Sequence, residues 1–340
     1  MNRSAARLLL ACSLAIALVV AAAPPAMADA AGPTNYQTEI ISIDPATSAL
    51  HVEMIGGDAF LRLKQLEPVE IIVLGYRAEP YLRFAPDGTV FENRRSPAVW
   101  QNQERYGNGD QPLPTFVDHT AEPQWLEVAS SGHYAWHDHR SHWMNEVPPL
   151  NKRAGDQILE ATVPFRVDGK PIVVTVASYW IEAPSILPAI GGAVMGLAAA
   201  AVLLRSARLN QAVVALLVAG AAALLGSIAF NSVPPETAPS RLLWLLPICA
   251  VAAALILMAV RNHTATTVYL DGLTVAAGAT LTAWAILRFD ALRRALIPTD
   301  APFQLDRFVI ATTLVVGAAL ALQGMYGLLT PKRLTPAETS

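Results

Sequence analysis

Between residues 184 and 330, five almost unbroken apolar stretches follow one another, at roughly 186–204, 212–230, 242–260, 268–287 and 308–329. Each is about 20 residues, the length at which an α-helix rising 1.5 Å per residue crosses about 30 Å of hydrocarbon. No water is available there to satisfy peptide groups, so each stretch must be helical. The second half of the chain is therefore expected to be a transmembrane bundle of about five helices in a lipid bilayer. Composition agrees: 53% of the chain is hydrophobic and only 15% charged, against about a quarter charged in ordinary globular proteins. Nearly all of that apolar surplus lies beyond residue 183, and the stretch before it reads as an ordinary soluble domain.

The N-terminus reads as a secretory signal. Arg3 and Arg7 supply a positive start, residues 8–23 an apolar core, and Ala26-Met27-Ala28 a small-x-small cleavage site, so residues 1–28 are expected to be removed. An uncleaved anchor helix is the alternative. Cys12 sits too early in the apolar run to be a lipidation site. The expected layout is a signal peptide (1–28), an extracytoplasmic β-sandwich domain (29–183), a transmembrane bundle (184–330) and a cytoplasmic tail (331–340). Loop arginines occur on both sides of the spans, so the charge rule is nearly neutral here and the signal peptide sets the orientation. The protein is expected in the cell membrane, multi-pass, with the N-terminal domain outside and the C-terminus inside.

The spans are rich in Ala, Gly, Leu and Val, which permits close helix packing. Asp271 is the only acidic residue within them, near an end where it reaches water, and Pro247 is expected to bend the third span. They lack the central run of ionisable residues that an ion path needs, so the bundle reads as an anchor or assembly platform.

The N-terminal domain reads as all-β, an immunoglobulin- or cupredoxin-like sandwich. Residues 38–43, 50–55, 69–74, 81–84, 89–91, 158–167 and 171–180 are β-rich runs. Two pairs of them flank the turn signals Ala85-Pro86-Asp87-Gly88 and Asp168-Gly169. Residues 94–120, rich in Pro, Asn, Gln and Gly, read as a long loop of the kind that often carries function. The domain has no cysteine, since Cys12 falls in the signal and Cys249 in a span. It must hold together by core burial, and thiolate metal sites are excluded.

Six of the seven histidines lie in this domain, four of them between His133 and His142. If the segment begins as a strand, alternation puts His133, His137 and His139 on one face and Tyr134, Trp136 and Asp138 on the other. His142 and Met144 follow where they can fold back. Imidazole binds copper, zinc, nickel and iron, and a nearby thioether suits copper. His137, His139 and His142 are the foremost candidate ligands, with His133 and Met144 in reserve and copper favoured over zinc. Asp138 is a candidate to fix a ring tautomer. His51 and His119 cannot be placed from sequence. A shared ion would require the nitrogens of His137, His139 and His142 within about 4 Å of one another. The competing reading is a metal-free hydrogen-bonded packing network in a structural or interaction module of the cell envelope. There, residues 94–120 and the outer-loop arginines would meet a partner protein. Catalysis finds little support: Glu146 and Asp138 are the only candidates for a base beside a bound metal, and no nucleophile or nucleotide motif is present. Residues 29–182 carry 21 acidic and 12 basic side chains, a net of −9, which attracts cations and disfavours nucleic acid.

Three phrases carry a resemblance: Leu74-Gly-Tyr-Arg-Ala-Glu-Pro-Tyr-Leu-Arg-Phe, Asn93-Arg-Arg-Ser-Pro-Ala, and Trp136-His-Asp-His-Arg-Ser-His-Trp-Met. Together they resemble a family of actinobacterial multi-pass membrane proteins with an exported β-domain, which implies the topology and no particular activity. Separately, the Gly132–His139 segment is similar to the Gly-x-Tyr-x-x-His-x-His strand of cupredoxin domains in multicopper oxidases. The His-Cys-His ligand strand of those enzymes has no counterpart here, which argues against an oxidase.

Overall fold

Alternating burial builds the strands. In the computed structural model, which describes residues 32–103, 105–106, 112–145, 147–206, 209–230, 242–260 and 267–330, ten strands precede the membrane helices. The expected signal peptide and C-terminal tail, and Glu146, lie outside the described residues. The strands are β1 (Tyr36–Asp44), β2 (Leu50–Ile55), β3 (Phe60–Gln65), β4 (Ile71–Leu74), β5 (Pro80–Phe84), β6 (Val90–Asn93), β7 (Trp125–Ala129), β8 (His133–Trp136), β9 (Gln157–Val167) and β10 (Lys170–Trp180). On β9 and β10, Val163, Phe165, Val174 and Val176 are buried while Arg166 and Val173 face out, the period-2 pattern of a half-buried strand. Asp168 and Gly169 turn the chain between them with φ of 47° and 74°. Positive φ at both central positions is what a tight right-twisted hairpin requires.

All pairings between these strands are antiparallel. One sheet has the order β1-β10-β9-β4-β5-β6-β7, the other β2-β3-β8. Their inner faces share one core, with Leu50, Val52, Leu61, Leu63 and Trp136 from the small sheet meeting Ile71, Leu82, Phe84, Val163, Phe165 and Val174 from the large one. This is a sandwich of two unequal sheets. Strands β3, β7 and β8 fall outside the seven runs expected from sequence, although β8 covers the start of the histidine segment read above as a candidate strand. Within the expected loop, Pro97–Gln101 forms a short helix, α1, with Pro at its start and the Ser96 hydroxyl accepting from Ala98 N, a standard N-cap arrangement.

Five long helices follow: α2 (Leu187–Ser206), α3 (Leu209–Phe230), α4 (Leu242–Val260, with Pro247 inside it), α5 (Thr267–Leu287) and α6 (Phe303–Leu329). All five are long and apolar enough to cross a bilayer, and the chain is a multi-pass membrane protein. Glycine lets backbones touch: a Cβ on Gly192 of α2 would collide with Phe308 O of α6, and one on Gly278 of α5 with Gly317 O and Ala321 N of the same helix. Helix α6 begins five residues before the expected span, which brings Asp306 and Arg307 into it. Asp271 is thus not the only acidic residue in the membrane helices. Asp306 and Arg288 form a buried ion pair at 2.9 Å, and Arg307 donates to Ala291 O, Arg294 O and Ala295 O.

The two halves are stitched together. Thr34 and Leu296 exchange backbone hydrogen bonds of 3.0 and 2.9 Å. Asn35 Oδ1 accepts from Ala295 N at 2.8 Å, and Asn35 O accepts from Ile181 N at 2.7 Å.

Candidate metal centre

Strand β8 ends at Trp136, one residue before the first candidate ligand. His137 and His139 are therefore presented by the segment after the strand, not by strand alternation as expected, whereas His142 lies beyond the strand as expected. A tight turn does the gathering: Ser141 N and Ser141 Oγ both donate to Asp138 O at 2.8 Å. Thr38 Oγ1 of β1 donates to Ser141 O at 2.7 Å. This folds His142 back onto His137, with ring centroids 4.6 Å apart. His139 closes the group, its ring 6.0 Å from His137 and 5.6 Å from His142.

Each of the three residues offers a nitrogen, and all three nitrogens lie within 4.8 Å of one another. That bound is wider than the 4 Å expected for a shared ion. Tetrahedral ligation at about 2.0–2.1 Å would bring nitrogens to about 3.4 Å of one another, so the rings must close by up to about 1.4 Å. His137 and His142 are 4% and 1% exposed, and His139 is half-buried on the more open side.

The hydrogen bonds define which nitrogen faces inward. His137 Nδ1 lies 2.6 Å from Ala59 O, and His142 Nδ1 lies 3.1 Å from Trp143 O. A carbonyl only accepts, so each Nδ1 is the protonated nitrogen. Burial, with the nearby Arg105 and His139, pushes the His137 imidazole down to about 4. Burial, with His137 and Arg105, pushes His142 down to about 2. Both rings are thus neutral at pH 7, and each Nε2 carries a lone pair. Among the described residues, neither of these two buried Nε2 atoms makes a well-formed hydrogen bond, although the Arg105 backbone also lies against the His137 ring. Tying Nδ1 to a carbonyl is how metal-ligating histidines are commonly held.

Asp138 does not fix a tautomer, contrary to the expectation. It is fully buried and receives Arg140 Nε at 2.9 Å, Arg140 Nη2 at 2.7 Å and Trp136 Nε1 at 3.2 Å. Burial pushes its carboxyl up, but the Arg140 guanidinium outweighs this and holds it below the usual carboxylate range. The role is structural: Asp138 locks the turn from inside. Backbone carbonyls take the part assigned to it, and they leave no mark in a sequence.

The region expected to be a long loop of the kind that carries function contributes support. Asn102, which caps α1, has its Oδ1 bonded to the Tyr76 hydroxyl. The His139 backbone N–H donates to Tyr76 Oη at 3.0 Å and Asn102 Oδ1 at 3.3 Å. Tyr76 also stacks on the His139 ring, with centroids 6.3 Å apart. Further along, Arg105 pairs with the fully buried Asp58 at 2.5 Å, next to the Ala59 carbonyl that holds His137.

Of the reserve ligands, His133 stands apart. His133 is not in the convergent group; its Nδ1 lies 3.3 Å from Ser131 O, and its side chain lines a cleft of about 660 Å³ together with Met54, Arg62 and residues 296–300. Met144 is 37% exposed. His51 and His119 are exposed and also outside the group.

No family model matches the chain, and no curated protein or solved structure matches it either.

Proposed function

We propose that this is a membrane-anchored metal-binding or metal-handling protein whose β-domain lies outside the cytoplasmic membrane and holds copper, in preference to zinc, through His137, His139 and His142. One observation carries the reading. Two buried imidazole Nε2 lone pairs, oriented by carbonyls on the opposite nitrogens, make no well-formed hydrogen bond among the described residues and converge with a third histidine. An unsatisfied buried acceptor costs on the order of 1–3 kcal/mol, and a bound cation repays that cost at both nitrogens at once. The all-imidazole set suits zinc or copper, and at nitrogen sites copper lies above zinc in the Irving–Williams order.

The second reading is a metal-free packing network in an envelope interaction module. The dense bonding of Asp138, Arg140, Trp136, Tyr76 and Asn102 favours it, and water would then meet the two Nε2 atoms. Equilibrium dialysis of the metal-stripped full chain in detergent micelles, against copper and against zinc, separates the two. One equivalent of copper is expected to bind at micromolar concentration, with at least tenfold weaker binding in His139→Ala and none in His137→Ala/His139→Ala. Absence of binding by a folded wild-type chain would overturn the metal reading.

A further inference from the structure

Three large apolar side chains stand exposed on the loop between β8 and β9: Met144 at 37%, Val147 at 64% and Leu150 at 98%. An exposed apolar residue is ordinary by itself, so position decides what this group means. Both ends of the loop are held at the end of the domain that meets the bundle. At its start, Ser141 O accepts from Thr38 Oγ1, two residues along β1 from Tyr36. At its end, Gly155 N donates to Trp180 O at 2.7 Å and Trp180 N to Asp156 O at 3.0 Å. Tyr36 and Trp180 are partners in the β1–β10 ladder. Their neighbours complete the link: Asn35 accepts from Ile181 N and from Ala295 N. Ala295 belongs to the segment joining α5 to α6, and α2 begins at Leu187, seven residues after Trp180. The loop therefore leaves the domain beside the ends of three helices of membrane length.

The bonding of the loop suits a layer poor in water. Trp143 Nε1 donates to Val147 O at 3.0 Å, and Val147 N donates to Asn145 Oδ1 at 2.9 Å. Pro148 and Pro149 have no N–H to satisfy, and Pro149 O accepts from Lys152 N at 3.1 Å. Peptide groups at the apolar tip thus find partners within the loop, as entry into lipid demands. Lys152 and Arg153, both exposed, follow the tip. Apolar residues with a tryptophan on one side and basic residues on the other are the composition of segments that sit at a membrane interface.

We propose that residues 143–145 and 147–153 form a membrane-contact loop: Val147 and Leu150 enter the headgroup region of the leaflet on the β-domain's side, and Lys152 and Arg153 reach lipid phosphates. The occupant is lipid because the loop emerges at the end of the domain from which the chain passes into the bundle. The contact holds the domain against the bilayer surface beside His142, whose Nδ1 faces Trp143 O. It does not depend on the histidines binding metal.

The test uses the metal-stripped full chain, carrying Cys12→Ser and Cys249→Ser, in phosphatidylcholine vesicles containing phosphatidylglycerol. A nitrobenzoxadiazole label is placed at Leu150→Cys. In a control chain it is placed at Lys170→Cys, at the other end of β10, roughly 33 Å along the strand from Trp180. Lipid with a doxyl group near the top of its acyl chain is expected to quench the label at 150 about threefold more than the label at 170, with bluer emission at 150. Val147→Asp in the chain labelled at 150 should cut that quenching about twofold. Equal quenching at the two positions would overturn the proposal. So would a label at 150 that lipid leaves unquenched but whose emission changes with protein density in the vesicle, which would mark a second copy as the occupant. Unchanged quenching in Val147→Asp would overturn the apolar tip as the source of the contact. Leu150 and Lys170 are both exposed, so the labelled chains are expected to fold as wild type does.

Discussion

The two halves of the chain both bury polar side chains, and they use them differently. In the bundle, buried polarity is turned inward to close gaps in the protein. Trp284 Nε1 donates to Ser227 Oγ at 2.7 Å, and Ser227 Oγ donates to Leu243 O at 2.7 Å. Arg288 joins Gly226 O to Asp306, and Arg307 collects three carbonyls of the turn leading into α6. Among the atoms left over there, Arg288 Nε and Asp306 Oδ1 belong to a pair already matched in charge, and Gln323 Oε1 is a single amide oxygen. In the β-domain the leftovers again include a charge-matched pair, Asp58 with Arg105, and the lone Ser178 Oγ, but they also include two nitrogens of the same chemistry, His137 Nε2 and His142 Nε2, in one cluster. Buried polar groups that stabilise a fold consume their own bonding capacity; those that bind a ligand hold some of it open.

That contrast can be broken experimentally, and the largest effect is expected in the bundle. Asp306→Ala strands a buried guanidinium, and by analogy with other buried pairs it should cost about 3–5 kcal/mol, read by denaturant unfolding in micelles. Added metal should not recover that loss in free energy. A variant as stable as wild type would show that the pair is not structural. In the β-domain, metal should act the other way. Copper at 100 times its dissociation constant should stabilise the protein by about 2.7 kcal/mol, visible as a rise in melting temperature that His139→Ala at least halves, His137→Ala/His139→Ala removes and Asp306→Ala retains.

A smaller, pH-dependent difference should separate the metal-free and loaded forms. The unfolded rings of His137 and His142 titrate near 6.5, while burial pushes the native ones down to about 4 and about 2. Between those values the unfolded chain binds more protons. Stability of the metal-free protein is thus complete above about pH 6.5 and declines as pH falls, toward 4 for His137 and toward 2 for His142, by on the order of 2 kcal/mol for each ring at pH 5. Denaturation midpoints at pH 7, 6 and 5 test this; a flat profile would mean that the rings are not held neutral. The smallest effect belongs to Ser227→Ala. It should cost about 1–2 kcal/mol through the lost hydrogen bonds with Trp284 and Leu243 and leave metal affinity unchanged.

Much of the architecture could be read from the residues. Five apolar stretches of membrane length and the Asp168-Gly169 turn are strong local signals, and the helices and the β9–β10 hairpin follow them. Strand β3 was harder, because its buried Leu61 and Leu63 are separated by Arg62 and flanked by Lys64, and the run is only six residues long. The start of α6 was hidden because Asp306 and Arg307 read as loop charges until Arg288 is brought beside them by the fold. The grouping of His137, His139 and His142 in one cluster was legible from spacing, but its geometry was not. It depends on where β8 stops and on a turn closed by Ser141. Ala59, Asp58 and Arg105 contribute through contacts distant in sequence, which no local pattern encodes.

The bonds between Thr34 and Leu296 and between Asn35 and Ala295 have a consequence for how the histidine site is reached. A domain on one flexible linker sweeps out a volume set by the length of that linker. Here the chain is tied to the bundle both where β1 begins and where β10 passes into α2, so the site has a set height and heading above the helices. A partner anchored in the same bilayer would thus meet the site in one fixed orientation, with the tumbling of a tethered domain removed.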